Sequence, residues 1–173
     1  MKAKKYFCMY LLFAFFAGMQ INFSQRIIVG DQMPNFELLN QFSTSISSDS
    51  LRVKKGVVLF FYSNKESFKK NKSAYEFKNK SKLFKDLDVK IVGVVADAIP
   101  NIREFTVRER IKYDIISDNR GMLHDMFGVS QKKLGSGSRV YTFVFKEGVV
   151  VKVMNTKDAA ESQVYDALGV FIK

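Results

Sequence analysis

Thiols are missing from almost the whole of this chain: Cys8 is its one cysteine, and none follows through residue 173. Residues 9–173 therefore have no disulfide framework, no thiolate metal site and no reaction that depends on a nucleophilic sulfur of their own. Tryptophan is absent, and histidine occurs once, at His124, without a second histidine or a cysteine at metal-ligand spacing. Metal binding is not expected, and His124 reads as a surface or capping residue. Acids are scarce beside bases, 17 against 28, which gives a formal net charge of +11. Repeats and low-complexity tracts are also lacking. With 47% hydrophobic and 26% charged residues, the composition is that of an ordinary globular protein, sized for one domain.

What is present begins with an export pattern. Lys2, Lys4 and Lys5 precede an apolar run from Tyr6 to Met19, too short to span a bilayer comfortably. We read residues 1–25 as a signal peptide cut after Ser24 or Gln25, and residues 26–173 as the domain. Cys8 opens the apolar run rather than following it, so lipid attachment is not expected. The product would be exported, periplasmic or extracellular, with no transmembrane span after signal removal, or tethered to the membrane if the signal stays. Loss of the three lysines leaves 25 basic against 17 acidic residues, a charge of +8.

Within the domain, Pro34–Leu39 reads as extended chain and the serine-rich stretch from Ser43 to Ser50 as a turn region. Val57–Tyr62 is a β-branched and aromatic run introduced by Gly56, which suits a strand buried on both faces. A lysine-rich amphipathic helix is expected from Glu66 to Lys85, then a strand from Val89 to Ala96. Pro100 stands in the first turn of the next helix, with Ile99, Ile102 and Phe105 on its inner face. Asp114–Ile116 is a third strand, Ser117-Asp118-Asn119 supplies capping side chains, and Gly121–Phe127 makes a brief helix stopped by Gly128. A hairpin follows, Val140–Phe145 and Val149–Met154 around Lys146-Glu147-Gly148, and a last helix runs from about Ala159 with Val164, Leu168 and Phe171 turned inward. This order predicts an α/β fold, a mixed central sheet flanked by helices.

Gly30–Phe36, Val57–Tyr62, Ile91–Asp97, Ser117-Asp118, Phe127-Gly128-Val129 and Arg139–Phe143, in that order and spacing, resemble the peroxiredoxins of the alkyl hydroperoxide reductase and thiol-specific antioxidant group, in particular the bacterioferritin-comigratory type. The resemblance runs from Val29 to Phe171 and implies a thioredoxin-like fold with the peroxiredoxin elaboration. It also implies a loop after the Val57–Tyr62 strand with a Pro-x-x-x-Thr-x-x-Cys pattern, whose cysteine attacks peroxide. Here that pattern falls on Ser63, Ser67 and Lys70: serine replaces the proline, Ser67 can supply the hydroxyl, and lysine replaces the nucleophile. Arg139 stands where the family's arginine is expected. The resemblance thus implies the fold and part of a pocket, with the thiol reaction removed. It leaves a degenerate site at Ser63, Ser67, Lys70 and Arg139, of which Ser67, Lys70 and Arg139 are candidates for holding a small anion.

Two other patterns compete with that reading. Ser67-Phe68-Lys69-Lys70, Ser117-Asp118-Asn119 and Lys146-Glu147-Gly148 follow the motif order of serine acyl-transfer enzymes, in which a lysine takes the serine proton. Lys65, Lys69, Lys70, Lys72, Lys78, Lys80, Lys82 and Lys85 against Glu66 and Glu76 suit docking to an anionic polymer, or simply a solvated face. Aromatics are not interleaved for base stacking, so no specific nucleic acid is expected as a partner. No cofactor is expected either, and Tyr62 is a candidate pocket wall at its strand end.

Overall fold

Short β-branched and aromatic runs leave a chain no choice but to bury them on two sides, and the computed structural model, which describes residues 26–62, 72–129, 140–156 and 160–172, shows how this is done. An antiparallel pair comes first, β1 (Glu37–Leu39) with β2 (Ser45–Ser47), and then the short helix α1 (Ser48–Arg52). Next are β3 (Gly56–Tyr62), α2 (Lys72–Asn79), α3 (Ser81–Asp86), β4 (Val89–Val95), α4 (Ile99–Arg108), β5 (Asp114–Ser117) and α5 (Met122–Met126). The hairpin β6 (Val140–Lys146) and β7 (Val149–Thr156) precedes the closing helix α6 (Ala160–Leu168). The main sheet has the order β5-β4-β3-β6-β7, with β3, β4 and β5 parallel and β6 and β7 antiparallel to their neighbours. It is the mixed, helix-flanked sheet of a thioredoxin-like fold.

Every residue of β3 is buried, and alternation along the strand feeds two cores. Val58, Phe60 and Tyr62 face α2, α3, α4 and α6, where Phe77, Phe84, Phe105 and Leu168 close over them. Val57, Leu59 and Phe61 face the other way, against Leu51 of α1, Leu123 of α5, Phe127 and the N-terminal Met33 and Phe36. Phe60 stacks on Phe77 at 5.0 Å and meets Tyr113 edge-on at 5.6 Å, while Phe61 packs on Phe127 at 5.1 Å and Phe143 at 5.7 Å. Each buried ring contributes on the order of 1.5–3 kcal/mol from area alone.

Chain that precedes β3 covers the β5 edge of the sheet and the start of β7. Asn40 bridges to Ile116, and the fully buried Gln41 accepts the Ile115 N–H at 2.7 Å and donates to the Tyr113 carbonyl at 3.1 Å. On the far side, Gly30 N–H donates to the Val150 carbonyl and Val150 N–H to the Asp31 carbonyl. Edge backbone groups at Ile115, Ile116 and Val150 that would otherwise be open to association are thereby paired internally.

Four expectations need correction. The lysine-rich helix is two helices over its described part, broken at Lys80, whose neighbours Asn79 and Ser81 are weak helix formers. The serine-rich segment is more than a turn: it holds β2, and Ser47 caps α1 by accepting the Ser50 N–H. Phe171 lies beyond the end of α6, and its inward position comes from the turn at residues 169–171. His124 is not at the surface; it is wholly buried.

Gly56 explains the position of Phe171. A Cβ on residue 56 would lie 2.3 Å from Cε1 and 2.4 Å from Cζ of the Phe171 ring, so the ring occupies space that only glycine leaves. Gly56→Ala should lower stability by about 1–3 kcal/mol through overpacking, read from the denaturant midpoint. Adding Phe171→Leu should recover part of that loss, whereas additive effects of the two changes would mean that the close approach is not what demands glycine.

Candidate functional site

The parallel registers Tyr62↔Val95 and Val95↔Ser117 end β3, β4 and β5 in one row. Open sheets of this kind bind ligands beyond such carboxyl ends, because helix N-termini and loops converge there. Asp97 organises this edge: its carbonyl accepts the Ser117 hydroxyl at 2.7 Å, and its carboxylate accepts Ala98 N–H and Asn101 Nδ2, both at 2.8 Å. The carboxylate therefore satisfies backbone at the start of α4, the end where negative charge is favourable.

Tyr62 ends β3 inside the core, 2% exposed, so it does not form the wall of an open pocket among the described residues. Burial pushes its phenol well above the ordinary tyrosine range, and the Asp97 charge adds to the shift. Tyr113 is raised for the same first reason, with Tyr62 the secondary cause, and its hydroxyl donates to the Ala74 carbonyl at 3.4 Å. Neither phenol serves as a base near neutral pH.

One step past the row lies a feature missed in the sequence. Asp118 N–H donates to the Val95 carbonyl at 2.8 Å, and Asp118 Oδ2 accepts both the His124 backbone N–H at 2.8 Å and its Nδ1 at 2.7 Å. Asp118 is 1% and His124 0% exposed. The pair ties α5 to the end of β5. His124 Nε2 and Asp118 Oδ1 have no hydrogen-bond partner among the described residues, and the Phe61 ring meets the imidazole edge-on at 5.2 Å. A carboxylate-oriented histidine is the geometry of a general base, but no nucleophile accompanies it among the described residues. The sequence signal was available as Asp118 and His124 six positions apart across a tight turn at Gly121; burial was not legible.

Ser63, Ser67, Lys70 and Arg139 all lie outside the described residues. The described framework shows only where the flanking strands run. Phe61 pairs with Tyr141, so the end of β3 and the start of β6 are neighbours. Of the acyl-transfer pattern, that framework keeps the second and third motifs apart. Ser117 and Asp118 are engaged at the carboxyl end of the parallel strands, whereas Lys146 pairs with Gly56 at the opposite end, six residues or roughly 20 Å away along β3. Among the described residues, no group of three or more metal-ligating side chains occurs and no helix is long and apolar enough to cross a membrane.

Two measurements follow from these geometries. Asp118→Ala removes the acceptor of two buried donors and should cost about 2–5 kcal/mol; a denaturation midpoint within error of the parent would show that the pair does not hold α5. For the tyrosines, unfolded phenols ionise near the ordinary value of 10.0 while Tyr62 and Tyr113 stay protonated in the fold. Their contribution to stability is therefore flat below that pH and falls above it. Relative to a Tyr62→Phe, Tyr113→Phe variant, the parent should lose stability as pH rises above about 10, and parallel curves would contradict the assignment.

The architecture has relatives. The profile of the AhpC/TSA family matches residues 29–153. Chloroplastic peroxiredoxin Q of Triticum aestivum is 25% identical over 146 residues, covering 84% of this chain and 67% of the relative. Chloroplastic peroxiredoxin Q of Populus jackii is 26% identical over 144 residues, 83% and 67% of the two chains. Among solved structures, the peroxidoxin BcpB of Mycobacterium tuberculosis superposes with a TM-score of 0.75 at 27% identity, over 86% of this chain and 99% of that one. A cysteine-to-serine mutant of PrxQ from Xylella fastidiosa gives 0.71 at 19% identity, over the same shares. Element order, sheet topology and a family match over most of its length agree: the chain belongs to the AhpC/TSA family and has the peroxiredoxin form of the thioredoxin-like fold.

Proposed function

We propose that this chain is an exported, peroxiredoxin-fold protein that has lost thiol peroxidase activity and acts by binding. One observation carries the reading: no cysteine occurs between residues 9 and 173, and the position that the family pattern gives to the nucleophile is Lys70. Attack on a peroxide O–O bond by a peroxiredoxin needs a thiolate, which a lysine amine does not replace. Removal of residues 1–25 on export would take Cys8 with it, leaving a chain with no thiol at all.

The same substitution suggests what the site holds instead. In the family pattern the nucleophile opens a helix, where backbone N–H groups and the helix dipole favour negative charge. A lysine there is disfavoured by roughly 0.3–1 kcal/mol, and Arg139 adds a second cation. A small anion held by Ser67, Lys70 and Arg139 would relieve all of these at once. The pairing of Phe61 with Tyr141, near the end of β3 and the start of β6, supports that grouping.

The decisive comparison uses a Cys8→Ser chain with and without Lys70→Cys. The first should consume hydrogen peroxide no faster than buffer when supplied with a dithiol reductant, and metal-free turnover by it would end the proposal of lost activity. In the second, the new thiol should ionise below the ordinary cysteine value of about 8.5, with the shift reduced by Arg139→Ala. A thiol of ordinary acidity, indifferent to Arg139, would rule out an inherited anion-favouring pocket.

A further inference from the structure

At the other end of the sheet, the starts of β4 and β5 and the ends of the helices that lead into them surround an open depression of about 990 Å3. Its walls carry Lys54 from the turn before β3, Lys78 from the end of α2, Lys82 and Lys85 from α3, and Arg110 and Lys112 from the link between α4 and β5. None of these six forms an ion pair with a described acid, and the exposed Lys54, Lys82, Lys85, Arg110 and Lys112 stand in solvent. A seventh cation, Lys90, is bound to Asp114, which is also held by Asn40 Nδ2 at 2.8 Å. Asp86 and Asp88 are the only other acids of the wall, so seven cations face three carboxylates, one already neutralised. Three separate stretches of chain, around residues 54, 78–91 and 110–114, converge on this surface, which a solvated face of a single helix would not require.

The lining also selects among anions. Tyr113, the one aromatic of the wall, is buried, so no ring face is offered to a nucleic-acid base. Val89 and Ile91, its apolar members, are both 4% exposed and give a protein partner no anchor of the kind that interface cores need. A concave wall suits a flexible strand better than a flat headgroup layer. What remains is a linear chain with regularly spaced charges that needs neither stacking nor apolar burial. We propose that this depression binds an acidic polysaccharide, carboxylated or sulfated, through point-charge contacts from its lysines. The site is independent of the anion proposed for Ser67, Lys70 and Arg139: Val89 and Val95, at the two ends of β4, are six residues or roughly 20 Å apart.

Arg110 provides an unusually clean probe. Its φ of +53° lies in the left-handed region, where glycine is the default, so Arg110→Gly removes a cation while easing the backbone. The experiment is equilibrium binding of the chain to a sulfated heparin oligosaccharide and to a single-stranded oligonucleotide of equal length and charge, across a salt series. We expect the oligosaccharide to bind more tightly, with affinity falling steeply as salt rises. Arg110→Gly should weaken it several-fold with the thermal midpoint unchanged or raised. Lys82→Ala with Lys85→Ala and Lys112→Ala should weaken it at least tenfold, whereas Lys152→Ala, whose ammonium pairs with Asp166 on α6, should leave it unchanged. No binding, equal or tighter binding of the oligonucleotide, or equal loss from Lys152→Ala would each overturn the proposal.

Discussion

Burial of β3 on both faces is the constraint from which the rest of the architecture follows. A strand of Gly-Val-Val-Leu-Phe-Phe-Tyr has no polar side to give to water, so it must occupy the centre of a sheet with a layer packed on each face. Its two phenylalanines define the two cores: Phe60 gathers Phe77, Tyr62 and Tyr113, and Phe61 gathers Phe127, Phe143 and His124. With β3 central, β4 and β6 take its flanks, and the parallel β3–β4 step forces a helical crossover through α2 and α3.

That placement gives the molecule two chemically different ends. At the carboxyl ends of the parallel strands, Asp97 and Asp118 are absorbed by helix starts and by a buried imidazole, so negative charge is spent on structure there. At the opposite end, lysines and an arginine from several chain segments stand with few partners. In a chain carrying 28 basic and 17 acidic residues, this is where part of the excess charge is concentrated rather than dispersed. The family framework is thus kept, with basic side chains gathered at this end of the sheet.

Much of the fold was legible in the residues. The β-branched runs marked β3, β4 and β6, Pro100 marked the first turn of α4, and Gly148 marked the hairpin, because each of these signals acts within a few residues of itself. The break at Lys80 was less visible, since Phe77 and Phe84 are seven apart and keep the phase of one continuous helix. The lack of any cysteine after Cys8 was also plain, being a matter of composition.

Burial of polar groups was decided only in three dimensions. Nothing local distinguishes His124 from a surface histidine; its interior position follows from α5 folding back so that Asp118 Oδ2 reaches both its N–H and its Nδ1. Gln41 in the sequence is a polar loop residue, yet it serves as a surrogate strand partner for β5 across more than seventy residues. The convergence of Lys54, Lys82, Arg110 and Lys112 on one concavity likewise depends on strand order, which brings distant turns to one end of the sheet. The sequence by itself determined most of the secondary elements and the lack of cysteine after Cys8, because those depend on residue type and short-range periodicity. The tertiary structure alone decided which polar and charged side chains meet, because contacts between residues far apart in the chain are set by packing.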